Sequence, residues 1–367
     1  MRQQLSAFFA SRWGIILAGV VIGLLAALLP KLGNPPNMGV CVACFERDIA
    51  GAFGLHRAAV VQYLRPEIPA FVLGSLAAAL LFGEFRARAG SAPLVRFFLG
   101  VFAMIGALVF LGCPWRAILR LAGGDWNAII GIAGLTLGVG IGGAFIKQGF
   151  SLGRSRETFK IAGGLMPALM VGILLLALAQ PAFILISEKG PGSLHAPILI
   201  SLAVGLLIGF LAQRTRFCTM GAIRDFVLIR DTHLLLGLLA MIVTAFLANL
   251  ALGQFKPGFE AQAIAHSSHL WNFLGMVLAG LCFALAGGCP GRQLFLTGEG
   301  DTDSGVFVLG MIVGAGFAHN WLLAAAPDKL AEGVLTVGGP GLNGQVAVGI
   351  GLVFCLVLGF AMRERFE

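Results

Sequence analysis

Long apolar stretches separated by short polar connections dominate the chain. Ten of these stretches are long enough, or nearly long enough, to cross a bilayer as helices. They lie at about residues 13–30, 69–83, 97–112, 127–146, 162–187, 197–213, 234–252, 271–288, 305–325 and 344–362. The pattern therefore predicts an all-α polytopic membrane protein with about ten transmembrane helices.

The composition supports this prediction and excludes a soluble domain with one hydrophobic anchor. Of the 367 residues, 58% are apolar and 11% are charged, whereas about a quarter of an ordinary soluble domain is charged. The mean hydropathy is +0.93 over the whole chain. The 53 glycines are about twice the usual share. Such small residues let membrane helices pack closely, or break where they line a cavity.

The charged residues predict the orientation of the spans. Basic residues occur singly between apolar stretches, so the net charge of +8 is not a nucleic-acid signal. With the N-terminus inside, the inner connections 84–96, 147–161 and 214–233 contain nine arginines and two lysines, and the C-terminus adds Arg363 and Arg365. Three outer connections contain one lysine each. This positive-inside pattern predicts a multi-pass protein of the cell membrane with both termini in the cytoplasm.

The loop 31–68 departs from this pattern, because it is nominally outside and yet contains four basic residues. Its middle, from Ile49 to Tyr63, is largely apolar with embedded charges. Irregular backbone at membrane depth is allowed only where it is buried in protein or lines a cavity. We therefore predict a re-entrant segment that dips back into the protein.

Two motifs of rare residue types recur in the same order in both halves of the chain. The first contains a cysteine, an adjacent arginine and aspartate, and a histidine, and all of its members are related by one sequence offset. They are Cys41, Arg47, Asp48 and His56 in the first half, and Cys218, Arg224, Asp225 and His233 in the second. The second motif is Gly-Cys-Pro-x-Arg, which recurs at an offset shorter by a single position. Its members are Cys113 and Arg116, and Cys289 and Arg292.

The repeat predicts two halves of opposite orientation within a single integral membrane domain. Five spans per half is an odd number, so the second half must be inverted relative to the first. We expect residues 1–160 to contain the first repeat up to its fourth span, residues 161–187 its fifth span, and residues 188–367 the second, inverted repeat. Inverted-topology repeats are common in transporters, whose substrate site lies near the midplane at the repeat interface.

The Gly-Cys-Pro motifs predict discontinuous helices. Glycine favours a break and proline favours the first position of a helix, so Cys113 and Cys289 should each begin a short new helix. Each thiol would then lie beside a positive helix end and unpaired N–H groups, which together bind anions. Arg116 and Arg292 follow within a turn and could hold an anion's oxygens. The alternative is a helix break with a small buried cysteine.

The adjacent arginine and aspartate of the other motif leave two interpretations open. Ionisable residues at membrane depth are costly, and hence functional by default. The alternative is a structural ion pair that holds a re-entrant loop, which we favour for Asp48 and Asp225. Because neighbouring residues do not face each other on a helix, we expect each to pair elsewhere unless the segment is irregular. His56 and His233 are proton carriers or loop anchors, and we favour anchors.

Cys41 and Cys44 also have the C-x-x-C spacing of a redox pair. The position that matches Cys44 in the second half is a glycine, and no βαβ pattern surrounds the motif. A membrane thiol or persulfide oxidoreductase is therefore the less favoured alternative. We expect no cofactor, and no metal site, because no histidine cluster or second C-x-x-C accompanies the first. Cys282 and Cys355 lie inside spans as packing residues, and His266 is expected at the surface.

With these motifs the chain resembles the YeeE/YedE family of bacterial inner-membrane proteins. The resemblance rests on Gly-Cys-Pro-Trp-Arg at 112–116, Arg-Phe-Cys-Thr-Met-Gly-Ala-Ile-Arg-Asp at 216–225 and Gly-Gly-Cys-Pro-Gly-Arg at 287–292. By span count and repeat it extends over nearly the whole chain. It implies a transporter, not an enzyme, that takes up thiosulfate along a path of central cysteines from a positively charged outer dent.

Carried over residue by residue, the resemblance makes Cys113, Cys218 and Cys289 the path cysteines, with Cys41 as a fourth. The first motif, from Met38 onwards, looks like the branch linked to selenium metabolism, so the implied substrate is a thiosulfate-like anion or a selenium compound. A small TusA-like sulfur-carrier protein is the implied partner. A membrane subunit that docks such a carrier without conducting anything is a further hypothesis.

Overall fold

The computed structural model describes residues 2–363 and is almost entirely helical. Arg365, which we predicted to contribute to the cytoplasmic charge, lies outside the described residues. The helices are α1 (Arg2–Ala10), α2 (Arg12–Lys31), α3 (Val42–Ala52), α4 (Glu67–Phe82), α5 (Pro93–Phe110), α6 (Pro114–Ala122), α7 (Asn127–Lys147), α8 (Lys160–Ala179), α9 (Ile198–Thr215), α10 (Thr219–Ile229), α11 (His233–Ala251), α12 (His269–Ala286), α13 (Pro290–Gly298), α14 (Thr302–Asn320) and α15 (Leu342–Ala361). Two small antiparallel ribbons pair β1 (Arg88–Ala89) with β2 (Arg156–Glu157), and β3 (Lys329–Ala331) with β4 (Val334–Thr336).

The helices confirm the prediction of an all-α polytopic membrane protein. Among the described residues, nine helical segments are long and apolar enough to cross a membrane, and α4 is a shorter apolar helix of 16 residues. The predicted span 162–187 is too long, since α8 ends at Ala179. It ends there because Gln180 adopts the left-handed conformation and Pro181 cannot continue the helix.

Four short helices (α3, α6, α10 and α13) have only 9 to 11 residues each. The breaks between α5 and α6 and between α12 and α13 confirm the predicted discontinuous helices. The predicted re-entrant segment from Ile49 to Tyr63 is misplaced. The buried helix starts earlier, at Val42, and every residue of α3 is buried, whereas Phe53 and Leu55 just beyond it are exposed.

Helices from the two halves interleave throughout the core. The most extensive packing joins α2 to α11, α4 to α9, α5 to α14, and α7 to α12. The contacts occur in matching sets. A β-carbon on Gly134 would collide with the backbone oxygen of Phe273, and one on Gly310 with that of Phe97. These two contacts are related by the same sequence offset that relates the two Gly-Cys-Pro motifs. Glycine is needed at both sites because the backbones touch.

The centre of the molecule is formed by α5 and α12, which occupy equivalent positions in the two halves. A β-carbon on Gly106 would lie 2.9 Å from the backbone nitrogen of Ala279, and one on Gly275 would lie 2.9 Å from the side chain of Val109. Later residues of α5 therefore meet earlier residues of α12. The two helices run antiparallel, and each leads directly into one of the Gly-Cys-Pro breaks.

Candidate functional site

Each of the four motif cysteines is the residue directly before a short helix. They are Cys41 before α3, Cys113 before α6, Cys218 before α10 and Cys289 before α13. The sulfur of Cys41 accepts a hydrogen bond from the backbone nitrogen of Cys44 at 3.4 Å, and the sulfur of Cys218 accepts one from that of Gly221 at 3.2 Å. All four thiols therefore lie at positive helix ends with unpaired N–H groups.

The cysteines meet in two pairs, one in each half of the chain. The first thiol pair consists of Cys41 and Cys113, whose sulfurs are 3.8 Å apart, and the second of Cys218 and Cys289, at 3.6 Å. A disulfide has a sulfur–sulfur distance of about 2.05 Å. All seven cysteines of the chain, each within the described range, are free thiols. Sequence reasoning did not predict this direct contact.

The second thiol pair opens into a polar cavity of about 400 Å³. Cys218 lies in its wall and is 7% exposed, whereas Cys289 is fully buried. The charged residues that line the cavity are Arg214, Arg216, Arg224, Arg292, Asp225 and Asp231, and His233 lies beside them. The four arginines in this wall can donate hydrogen bonds to a small anion near the thiols.

Most of these arginines already have a carboxylate partner. The pairs are Arg214 with Glu84 at 2.9 Å, Arg224 with Asp225 at 2.8 Å and Arg292 with Glu299 at 3.2 Å. Arg216 reaches Glu84 only at 4.0 Å, and its side chain is 62% exposed. Glu84 lies outside the helices. Although burial opposes the shift, hydrogen bonds from Arg214 and Gln213 lower the pKa of its carboxyl group. An arriving anion would therefore compete for arginines that are already oriented.

The first thiol pair has no comparable opening, because Cys41 is 0% and Cys113 1% exposed. Arg116 of the same motif donates hydrogen bonds to the backbone oxygens of Leu111, Ala263 (3.3 Å) and Ile264 (3.1 Å). The guanidinium also lies 4.0 Å from the sulfur of Cys44. Arg116 thus connects α6 to the loop before α12 instead of facing a cavity.

A second polar cavity, of about 300 Å³, lies near this covered pair. Its polar lining includes Asn37, Gln254, Lys256 and Gln262. None of the motif cysteines contributes to its wall.

The arginine and aspartate of the first motif form part of a buried charge cluster. Asp48 accepts hydrogen bonds from Arg47 at 2.6 Å and from Arg65 at 2.8 Å. Arg65 also donates to the backbone oxygens of Pro191 and Leu194. The prediction that the adjacent residues pair elsewhere is wrong for Arg47, because its long side chain reaches round the helix to the neighbouring carboxylate. The same correction applies to Arg224 and Asp225, as the preceding ion pairs show.

The two motif histidines have different surroundings. His56 is buried, its Nε2 lies 3.1 Å from the backbone oxygen of Arg47, and its Nδ1 accepts a hydrogen bond from the backbone nitrogen of Ala58. These contacts hold the turn after α3 and favour the anchor interpretation for His56. His233 begins α11 at the cavity wall, with its backbone nitrogen donating to Asp231.

Three buried polar features were not predicted. Arg120 forms a fully buried ion pair with Asp125 at 2.5 Å. Glu46 is fully buried, and neither of its carboxyl oxygens has a hydrogen-bond partner within residues 2–363. The surface position predicted for His266 is wrong, because this residue is buried and its Nε2 lies 2.7 Å from the backbone oxygen of Val109. For the first of these features the sequence offers one signal, because Asp125 and Asp301 are related by the same offset as the two Gly-Cys-Pro motifs.

A third pair of thiols lies away from the motifs. Cys282 of α12 and Cys355 of α15 are fully buried with their sulfurs 3.4 Å apart. Within the described range, no group of three or more histidines, cysteines or carboxylates is placed to hold a metal ion. The contact between two thiols is common to all three pairs. The four motif cysteines differ from Cys282 and Cys355 because they lie at helix ends.

Comparison with known proteins matches the second half of the chain. Residues 214–366 match the family described as Sulphur transport. The thiosulfate transporter TsuA of Escherichia coli (strain K12) is 32% identical over 107 residues, which are 28% of this chain and 29% of the relative. The thiosulfate transporter TsuA of Spirochaeta thermophila is 33% identical over 112 residues, which are 29% of this chain and 32% of the relative. The chain thus spans under a third of each relative's length in these matches. The motifs at 216–225 and 287–292 lie inside the region that matches this family, and these similarities support the resemblance of the chain to the YeeE/YedE family.

Proposed function

We propose that the chain is a bacterial inner-membrane transporter that takes up a small sulfur- or selenium-containing species. The substrate is a thiosulfate-like anion or a selenium compound, and the protein moves it without chemical conversion. Two relatives that bear the name thiosulfate transporter support the sulfur anion. The first motif supports selenium as the alternative element.

The observation that carries the proposal is the pair of thiols beside an arginine-lined cavity. Thiosulfate has an oxyanion end, which suits arginine and helix N-termini, and a soft terminal sulfur. The thiols of Cys218 and Cys289 can donate weak hydrogen bonds to that sulfur. Weak contacts in series let an ion enter and also leave. The chemistry therefore suits a soft anion in transit better than a tightly held cofactor or a hard cation.

We further propose that the two halves are inverted repeats, with both termini in the cytoplasm. Support comes from the antiparallel arrangement of α5 and α12 and from the paired helix contacts at one constant offset. In this topology the first thiol pair is approached from outside and the second from the cytoplasm. The division into residues 1–160, 161–187 and 188–367 follows, and a TusA-like sulfur carrier would accept the substrate at the cytoplasmic cavity.

The test is uptake of ³⁵S-thiosulfate by the purified protein in liposomes. We expect Cys113→Ala and Cys289→Ala to abolish uptake while the protein still folds, because each removes one thiol of a pair. Cys282→Ala is the matched control, since Cys282 is equally buried and also contacts a second thiol, but lies away from the helix ends. It should retain uptake. Normal uptake by both motif variants would contradict the proposal.

The same preparation separates the other hypotheses. Uptake by the purified protein alone would exclude a docking subunit that conducts nothing. Competition with selenite and other sulfur or selenium species ranks the substrates. A thiol-reactive mass tag applied during turnover reports the oxidation state of Cys41 and Cys44. If these two residues cycle between thiol and disulfide, the oxidoreductase hypothesis replaces the transporter.

A further inference from the structure

Four aromatic side chains pack together between the two thiol pairs, and we call them the aromatic septum. They are Phe71, Trp115, Phe217 and Phe295, and each is at most 1% exposed. The indole of Trp115 is central, with its ring 5.8 Å from that of Phe217, 6.0 Å from that of Phe295 and 6.1 Å from that of Phe71. Inclined aromatic rings at such distances attract each other and pack without voids.

The position of Trp115 links the two pairs directly. It lies two residues after Cys113, at the start of α6. Its ring packs on Phe217, which immediately precedes Cys218. The same ring is 3.3 Å from a β-carbon built on Gly291, two residues after Cys289. The ring of Trp115 therefore packs against residues within two positions of both cysteines of the second thiol pair.

Trp115 also breaks the equivalence of the two Gly-Cys-Pro motifs. When Cys113 is aligned with Cys289, the counterpart of Trp115 is Gly291, the residue on which its own ring packs. A large side chain at position 291 would need the space that the indole already fills. The two motifs thus meet at a point with room for one large side chain, and the first half supplies it.

Sealing this point does not by itself require an indole. The N–H of Trp115 is buried and finds no acceptor within the described chain. A buried donor without a partner destabilises the folded protein, a cost that the ring of a phenylalanine would not incur. Because Trp115 packs on Phe217 and against Gly291, this free donor lies close to the helix ends that carry Cys113, Cys218 and Cys289.

We propose that Trp115 is the gate between the two thiol pairs and that its indole N–H binds an oxygen of the passing anion. The sealing role stands on packing alone. The binding role rests on the proposed function, since it needs an oxyanion as the transported species. The two roles are therefore tested separately.

The seal is tested by thiol labelling of the detergent-purified protein, which requires no transport. Trp115→Gly places in the first motif the residue that the second motif already has. We expect a maleimide to label Cys113 at least about tenfold faster in this variant than in wild type, because the bulky barrier to the arginine-lined cavity is gone. Mass spectrometry of the Cys113 peptide gives the rate.

Trp115→Ala serves as a second variant if the glycine variant does not fold. Trp126→Gly, at an exposed tryptophan, is the control and should leave the rate unchanged. A folded Trp115→Gly or Trp115→Ala protein with the wild-type rate would overturn the seal.

The binding role is tested by Trp115→Phe, which keeps an aromatic ring but removes the donor. We expect Cys113 to stay protected, while KM for thiosulfate uptake rises about tenfold, since a hydrogen bond to a charged group is lost. Maximal uptake should change less than KM. An unchanged KM would overturn the binding role. If wild type itself takes up no thiosulfate, the proposed function fails and the binding role with it, whereas the labelling rates still decide the seal.

Discussion

The two thiol pairs have the same local geometry and different surroundings. In both, one cysteine caps a helix through its sulfur and touches the cysteine of the following Gly-Cys-Pro motif, at 3.8 Å in the first pair and 3.6 Å in the second. The first pair is sealed, whereas Cys218 borders a cavity lined with arginines. The motifs therefore specify the contact between the two thiols of each pair. The loops that pack around each pair specify whether its thiols are accessible.

The arginines of the two motifs differ in the same way. Arg116 is fully buried and holds three backbone oxygens, two of them in a loop of the opposite half. Arg292 lines the open cavity and pairs with Glu299. Equivalent side chains thus act as a structural clamp in one half and as a cavity wall in the other. The difference indicates that two side chains at equivalent positions of the repeat need not be equally accessible.

The largest expected effect concerns the two motif aspartates. Asp48→Asn leaves Arg47 and Arg65 as buried cations without a carboxylate, and removing one partner of a buried ion pair costs about 3–5 kcal/mol. Asp225→Asn affects a pair whose side chains are 33% and 21% exposed, and such pairs contribute about 0–1 kcal/mol. Unfolding in detergent, followed by intrinsic fluorescence, measures both. Equal losses would show that the two copies have equivalent environments.

Chemical access should distinguish the thiol pairs themselves. We expect a maleimide added to the detergent-purified protein to label Cys218 roughly tenfold faster than Cys41 or Cys113, because a sealed thiol reacts only after local opening. Peptide mass spectrometry gives the three rates, and the buried Cys282 is the internal reference for an inaccessible thiol. Comparable labelling rates of Cys113 and Cys218 in the wild-type protein would contradict the difference in accessibility between the two thiol pairs.

The smallest expected effect is at Glu46. A carboxyl group that is fully buried and has no hydrogen-bond partner among the described residues is held as the neutral acid, because an isolated buried charge is far more costly. Glu46→Gln preserves shape and charge, so the free energy of unfolding should change by about 1 kcal/mol or less. The same unfolding assay checks it. A loss as large as that of Asp48→Asn would mean that Glu46 is ionised and paired.

Much of the fold could be predicted from local patterns. The ten apolar stretches, the breaks at Cys113 and Cys289 and the recurrence of the motifs depend on hydrophobic length and on glycine and proline chemistry, which act within a few residues. The end of α8 was predicted late, because an apolar stretch does not reveal that Gln180 turns left-handed. The re-entrant segment was misplaced, because the buried helix α3 contains Asp48, whose ion-pair partner Arg65 lies 17 residues further along the chain.

The sequence alone determined that this protein lies in a membrane, that its two halves share cysteine motifs, and that Cys113 and Cys289 begin short helices. Only the tertiary structure decided which thiols touch, which arginine faces a cavity, and where Trp115 meets Gly291. The physical reason is that apolar length and helix-end chemistry are properties of neighbouring residues. Contact and access depend on helices from opposite halves that interleave, and no local pattern encodes that arrangement.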